Sequence, residues 1–265
     1  MSRPRIPLAV EGLLEWWLPR VRAALGLKVK SVVLYGGVVL DDFAPGWSDV
    51  DVCVVLDTPI EQDEAAAIGA VHDEMREQFV DSGKGGWRSG QAIEGPYVPI
   101  ELTAGPEATG LCFVAGGTTR RWADGHPISP FDRYMLSHFG ACYAGQTVRF
   151  APPTRQALVV QLREDLPQLV EPDHARLSSS IWLAGTIHWI ARSVVFWRDG
   201  VMLSKTAALE QEIEAGSPFA DAYELALRLR REGSAATRDH LPELRERFMA
   251  IAKPAADTMT ELIDD

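Results

Sequence analysis

The sequence predicts an α+β protein in two parts, a mixed sheet with helices over residues 1–128 followed by an all-α helical bundle over residues 129–265. Three observations carry this. Two short β-branched runs, Val32–Leu34 and Val50–Leu56, flank a loop that opens on Gly36-Gly37. From Ser129 onward strand-like alternation gives way to long stretches with apolar residues at helical spacing. Between the two textures, Ala104–Ile128 is rich in Gly and Thr and reads as a linker.

The elements follow in order. Residues 8–25 place Leu13, Leu14, Trp17, Val21 and Leu25 on one helical face, with a bend expected at Pro19. The two β-branched runs are strands, and Glu61–Phe79 is helical in composition. Trp87–Ala92 and Val98–Thr103 read as further strands, broken by Gly95-Pro96. That order makes a small sheet domain with helices on one face. Beyond the linker, helices are expected over Pro130–Tyr143, Pro153–Val170, Leu177–Trp197, Ser204–Ala215, Pro218–Arg231 and His240–Ile263.

Composition narrows the function classes. The formal charge of −11, from 26 basic and 37 acidic residues, argues against a nucleic-acid polymer as partner and fits a cationic small molecule. No stretch approaches the roughly 18 consecutive apolar residues of a membrane span, so no membrane role is expected. Arg3 and Arg5 lead into no sustained apolar run, so no signal peptide is expected either. Cys53, Cys112 and Cys142 lack metal-ligand spacing and the histidines form no zinc pattern, which reads as reduced thiols in a cytoplasmic protein.

The chemistry concentrates in Ser48-Asp49-Val50-Asp51, at the head of the second strand. Carboxylates at i and i+2 on a strand point to one face, within reach of shared divalent cations. Unpaired acids in so apolar a strand are expensive to bury, so the pair calls for a cation, and the arrangement suits metal-assisted chemistry on a phosphate. Gly36-Gly37 allows backbone N–H groups to approach phosphate oxygens. A third acid is expected at Glu101, conspicuous in Val98–Thr103, as a ligand for Mg²⁺ or as a general base; Glu94, on the preceding segment, is the competing acid and ranks second.

These residues carry a resemblance. Leu34-Tyr35-Gly36-Gly37, ten residues, Ser48-Asp49-Val50-Asp51 and a later strand acid resemble the nucleotidyltransferase superfamily of the polymerase-β type. More narrowly, the chain is similar to bacterial aminoglycoside adenylyltransferases acting on streptomycin and spectinomycin, with Ile100-Glu101-Leu102-Thr103 falling where their catalytic base falls. Gly145-Gln146-Thr147-Val148 resembles the family's turn before its next helix; Ile190-Ala191-Arg192, Gly200 and Ser204–Ala208 resemble its helix pair that meets ATP. The resemblance implies a nucleotidyltransferase domain followed by a helical domain that contacts substrate and nucleotide. It implies transfer of AMP from ATP to a hydroxyl of a small cationic acceptor, most plausibly an aminoglycoside, with release of pyrophosphate. Asp49, Asp51 and Glu101 would hold Mg²⁺, Glu101 would deprotonate the acceptor, and Gly36, Gly37, Ser48, Arg192 and Lys205 would contact the nucleotide. Antibiotic resistance would be the role. A protein-modifying AMP-transferase, or a regulatory nucleotide-binding member of the toxin–antitoxin type, is the alternative the same motif allows. Two departures stand out: Gly37 replaces the usual serine, and Glu171, Asp173 and His174 occupy the place of the tryptophan and acid expected for streptomycin and spectinomycin.

Overall fold

The computed structural model describes residues 5–81, 93–103, 112–115, 118–121 and 128–264. The strand expected over Trp87–Ala92 lies outside them. The chain divides into two compact units, Met1–Arg155 and Gln156–Asp265.

In the first unit, α1 (Leu8–Leu25) leads to β1 (Val29–Leu34), β2 (Val50–Leu56), α2 (Gln62–Met75) and β3 (Ile93–Pro99). Then come β4 (Cys112–Ala115), β5 (Thr118–Arg121), α3 (Pro130–Phe139) and β6 (Ala141–Gly145). The strands form one mixed sheet in the order β5-β4-β3-β2-β1-β6, in which β2 and β3 are parallel and the other neighbours antiparallel.

Alternation along the strands sorts the side chains onto two faces. Val32 and Leu34 of β1, Val50, Val52, Val54 and Leu56 of β2, and Ile93 and Tyr97 of β3 join one buried cluster. Leu13, Leu14, Trp17 and Val21 of α1 and Ile68 and Met75 of α2 complete it. Within this core His72 is 1 % exposed, and its Nε2 takes both the Trp17 indole (3.4 Å) and the Tyr97 hydroxyl (2.9 Å). An indole N–H only donates, so Nε2 is the acceptor and the ring proton sits on Nδ1, which has no hydrogen-bond partner. Burial lowers the His72 pKa to about 4.

Three expectations are corrected. α1 runs through Pro19, as expected, but Gly95-Pro96 does not break a strand: β3 passes through both. Gly95 sits at φ 144°, and a Cβ there would collide with the Val52 backbone, so glycine lets β3 lie close against β2. The ladder omits Val52–Gly95 and Cys53–Pro96 pairs, where proline has no N–H to give. The expected linker holds two strands, β4 and β5, added to the edge of the sheet. And the division expected at 128/129 falls after Arg155, because Pro130–Tyr143 is not one helix. α3 stops at Phe139, and the chain then pairs antiparallel with β1, Leu34 opposite Ala141 and Ser31 opposite Gly145. α3 and β6 therefore belong to the sheet unit.

The second unit holds α4 from Gln156 onward (Arg155–Val170), α5 (His174–Leu177), α6 (Ser180–Asp199), α7 (Lys205–Glu214), α8 (Ala220–Glu232) and α9 (Leu241–Asp264). These lie within a few residues of the helices expected from periodicity. α6 packs against α7, α8 and α9 through Leu183, Ile187, Ile190, Ala191, Val194 and Val195, all buried. Its His188 is a core histidine whose Nε2 reaches the Ala226 carbonyl at 3.2 Å. At the end of α6 the Arg198 guanidinium grips both oxygens of Asp199 (2.9 Å each) and donates to buried Glu212 on α7 (2.7 Å). Among the described residues no helix is long and apolar enough to cross a membrane.

Candidate active site

The face of the sheet turned away from the α1–α2 core carries the acids. Asp51 follows Val50 on β2 and so points opposite to it, with Tyr35 and Cys53 on the same side. On β3, Glu94 follows core-facing Ile93, and the parallel register sets Glu94 beside Asp51. Asp49, in the loop just before β2, shares a hydrogen bond with Glu94. Asp49, Asp51 and Glu94 thus lie at the N-terminal end of the parallel pair.

The electrostatics follow from that crowding. The Glu94 carboxyl is pushed up to about 8, first by burial, then by the charge and hydrogen bond of Asp49 and the charge of Asp132. Raised this far, the Glu94 carboxyl tends to keep its proton where no cation relieves it. The Tyr35 phenol is raised well above its ordinary value by burial and by Asp132, Asp51 and Glu94, and so stays neutral. Burial pushes the Cys53 thiol up as well, which makes it inert.

The loop that delivers Asp49 and Asp51 is fixed by its own hydrogen bonds. Tyr35 N–H donates to the Asp51 carbonyl (3.1 Å), Asp42 N–H to Gly37 (2.9 Å), and Ser48 N–H to Ala44 (2.9 Å). Ser48 returns the bond, its hydroxyl accepting from Ala44 N–H at 3.0 Å. Gly36 lies at φ 66° directly against Asp51, and a Cβ there would run into the Asp51 carboxylate. At Gly37 a Cβ would meet only the Asp42 carbonyl at 3.5 Å and Ser48 Oγ at 3.7 Å, which is ordinary contact. A serine would fit there.

Of the expected residues, the structure brings Asp49, Asp51, Ser48, Gly36 and Gly37 together and leaves Glu101 out. Glu101 lies in the 3-10 turn Ile100–Leu102 after β3 and is exposed. Leu56 pairs with Pro99, so Glu101 lies beyond the C-terminal ends of β2 and β3, whereas the other acids are at the N-terminal ends. At about 3.3 Å per residue, the length of β2 alone separates them by roughly 16–20 Å. The acid that the register sets beside Asp51 is thus the runner-up, Glu94, and not Glu101. Arg192, half-buried on α6, and Lys205, the first residue of α7 behind its Ser204 cap, belong to the second unit. Asp173 caps the short α5 by accepting from Arg176 N–H at 2.8 Å. Sequence reading missed Asp132 on α3: Ser129-Pro130-Phe131-Asp132 signals a helix start, but nothing in it points to the acids of the sheet.

Comparison with known proteins bears on this geometry. Residues 17–82, which span β1, the Gly36-Gly37 loop and β2, match the family model for the nucleotidyltransferase domain. Over that stretch the chain is similar to a nucleotidyltransferase domain. The match supports nucleotidyl transfer as the class of chemistry. The whole fold is similar to that of spectinomycin adenyltransferase AAD(9) from Enterococcus faecialis, solved with ATP and spectinomycin. That match has a TM-score of 0.64 at 12 % identity and covers 90 % of this chain and 98 % of the other. No curated protein matches the chain.

Proposed function

We propose that this nucleotidyltransferase moves AMP from ATP to a hydroxyl of a small cationic acceptor, an aminoglycoside in the first instance, with Mg²⁺ bound. The observation that carries the reading is the register that sets Glu94 beside Asp51 on one sheet face, with Asp49, in the loop just before β2, acting on Glu94. Crowded carboxylates beside a glycine turn fit a divalent cation. Among the described residues no three His, Cys, Asp or Glu side chains are arranged to hold a metal on their own. That suits Mg²⁺, which takes one or two carboxylates and completes its shell with water and substrate phosphates. Asp49 and Asp51 would hold it, and when bound it supplies positive charge to the oxygens of the α-phosphate.

This chain's own residues do the rest. Backbone N–H groups of Gly36 and Gly37 orient the phosphates, and Ser48 keeps the loop in place. Glu94, relieved of its proton, accepts the proton of the acceptor hydroxyl as that oxygen bonds to the α-phosphorus. The bond from the α-phosphorus to the α–β bridging oxygen breaks, and pyrophosphate leaves. Arg192 and Lys205 would contact the β- and γ-phosphates and ease that departure. The similarity of fold to a spectinomycin adenyltransferase and the net charge of −11 support a cationic acceptor.

The test is incubation with ATP, Mg²⁺ and a panel including spectinomycin and streptomycin, read by mass spectrometry. An acceptor heavier by one AMP, with equimolar pyrophosphate and loss of both in Asp49→Ala, is the expected result. Absence of an adduct with every acceptor overturns the reading.

A further inference from the structure

α7 is gripped from two sides. On one, Arg198 of α6 donates to buried Glu212 at 2.7 Å. On the other, the last turn of α8 meets the first turns of α7. Arg230 Nε donates to Thr206 Oγ1 at 3.0 Å, and one turn further along α7 Arg231 donates to Glu210 at 2.6 Å. The two contacts with α8 differ in kind. The Arg231–Glu210 pair is exposed, whereas Arg230 is 7 % exposed and directs its Nε to a neutral hydroxyl. Arginine is seldom buried, because taking its charge out of water is costly.

The turn that Arg230 holds carries Lys205. At about 100° per residue, Lys205, Ala208, Leu209 and Glu212 share one stripe of α7, and the last three are buried. Lys205 is half-buried at the N-terminal end of that stripe, and Thr206 is turned about 100° from it, toward α8. Rotation of the first turn about the helix axis therefore decides where the Lys205 ammonium is delivered. Ser204 closes the turn by accepting from Ala207 N–H at 3.1 Å, which fixes where the helix starts but not its rotation against α8. Helix ends fray, and a lysine at this end opposes the helix dipole, so the first turn is the part of α7 most in need of a tie.

We propose that Arg230 is a positioning residue: through Thr206 it fixes the rotation of the first turn of α7 and so aims Lys205 at the phosphates of the nucleotide. This rests on the reading of Lys205 as a contact of the β- and γ-phosphates. Arg230 acts here through the helix, and what counts is the geometry of its bond to Thr206. A lysine, with a point charge on a flexible stem, does not reproduce that bond.

The experiment measures ATP–Mg²⁺ affinity by calorimetry, and melting temperature, for the full chain and its variants. Arg230→Lys keeps the charge and loses the Nε bond; Thr206→Val keeps the shape and loses the acceptor; Thr206→Ser keeps the hydroxyl. The first two are expected to weaken ATP binding by roughly tenfold, the scale of a lost hydrogen bond from a charged donor, while Thr206→Ser stays within about twofold of wild type. Adding Arg230→Lys to Lys205→Ala should weaken binding no further, because the two residues act as one unit. Arg198→Lys, which loosens the other grip on α7, should lower the melting temperature and leave ATP affinity within about twofold. Unchanged ATP affinity in either Arg230→Lys or Thr206→Val overturns the proposal, as do additive losses in the double variant or an equal loss in Arg198→Lys. A wild type that binds no ATP–Mg²⁺, or a Lys205→Ala variant that binds it as tightly as wild type, overturns the parent reading, and this inference with it.

Discussion

Glu94 and Glu101 are seven residues apart in the chain, at opposite ends of one strand, and that separation makes a decisive pair of variants. Glu94→Gln removes the proposed base, and a lost general base costs on the order of 10²- to 10⁴-fold in kcat. Glu101→Gln, exposed beyond the strand end, should leave kcat/KM within about twofold, as expected of a surface substitution. Steady-state assays of the two variants check this; equal losses would put the base elsewhere. The glycine pair divides as sharply. Gly36→Ala would drive a methyl into the Asp51 carboxylate at a positive φ, so activity should collapse. Gly37→Ser meets only ordinary contacts and adds a hydroxyl where phosphates are expected, so the fold should persist and the KM for ATP should fall. A Gly37→Ser variant that melts well below wild type would contradict the geometry. At this scale the sequence made Asp49 and Asp51 legible because alternation needs no tertiary information. It misassigned their partner because which acid is third depends on strand register.

At the scale of elements, that register turned on one misread dipeptide. Gly95-Pro96 has the composition of a breaker, and reading it so moved the strand to Val98–Thr103 and carried the acid with it. In the structure the glycine allows close approach to the Val52 backbone and the proline falls where the ladder has no pair, so the strand continues. Helices of the second unit were legible within a few residues because periodicity over ten or more positions averages out local exceptions. β4, β5 and β6 were not, since strands of four or five residues carry too few alternations to stand out from a loop or a helix end. Gly95→Ala should therefore destabilise by more than a typical core overpacking of about 1–3 kcal/mol, because backbone rather than a side chain blocks the methyl. Urea unfolding measures it. The core between α1, α2 and β3 makes its own prediction through His72. Its folded pKa, about 4, lies below the ordinary 6.5, so below pH 6.5 the unfolded chain takes up a proton that the folded chain refuses. This group's contribution is fully present above pH 6.5 and is lost as pH falls toward 4, by roughly 3 kcal/mol in all. His72→Gln, which cannot be protonated, should show a flatter acid limb in urea unfolding between those values; an unchanged slope would mean that His72 is charged in the fold.

At the scale of the whole chain, the placement of the unit boundary has consequences for autonomy. A division at residue 128 matches the change from strand-like to helical texture, yet it cuts away α3 and β6, which lie on the sheet. β1 would then become an edge strand, offering the unpaired N–H and C=O groups of Val32–Leu34 beside apolar side chains. Removal of α3 would also take Gly140 away from Val33, which is 3 % exposed. The sheet is thus completed by a segment whose helical sequence advertises the other unit. Local pattern records what an element is but not which unit buries its apolar side. Two fragments test this directly. Residues 1–155 should remain monomeric and unfold in one cooperative step with urea, because every strand of the sheet and both of its covered faces are present. Residues 1–128 should aggregate, or expose enough apolar surface to bind a hydrophobic dye strongly, as expected for an uncapped central strand. Should the shorter fragment prove as soluble and cooperative as the longer, β6 and α3 would be appendages to a sheet already complete without them.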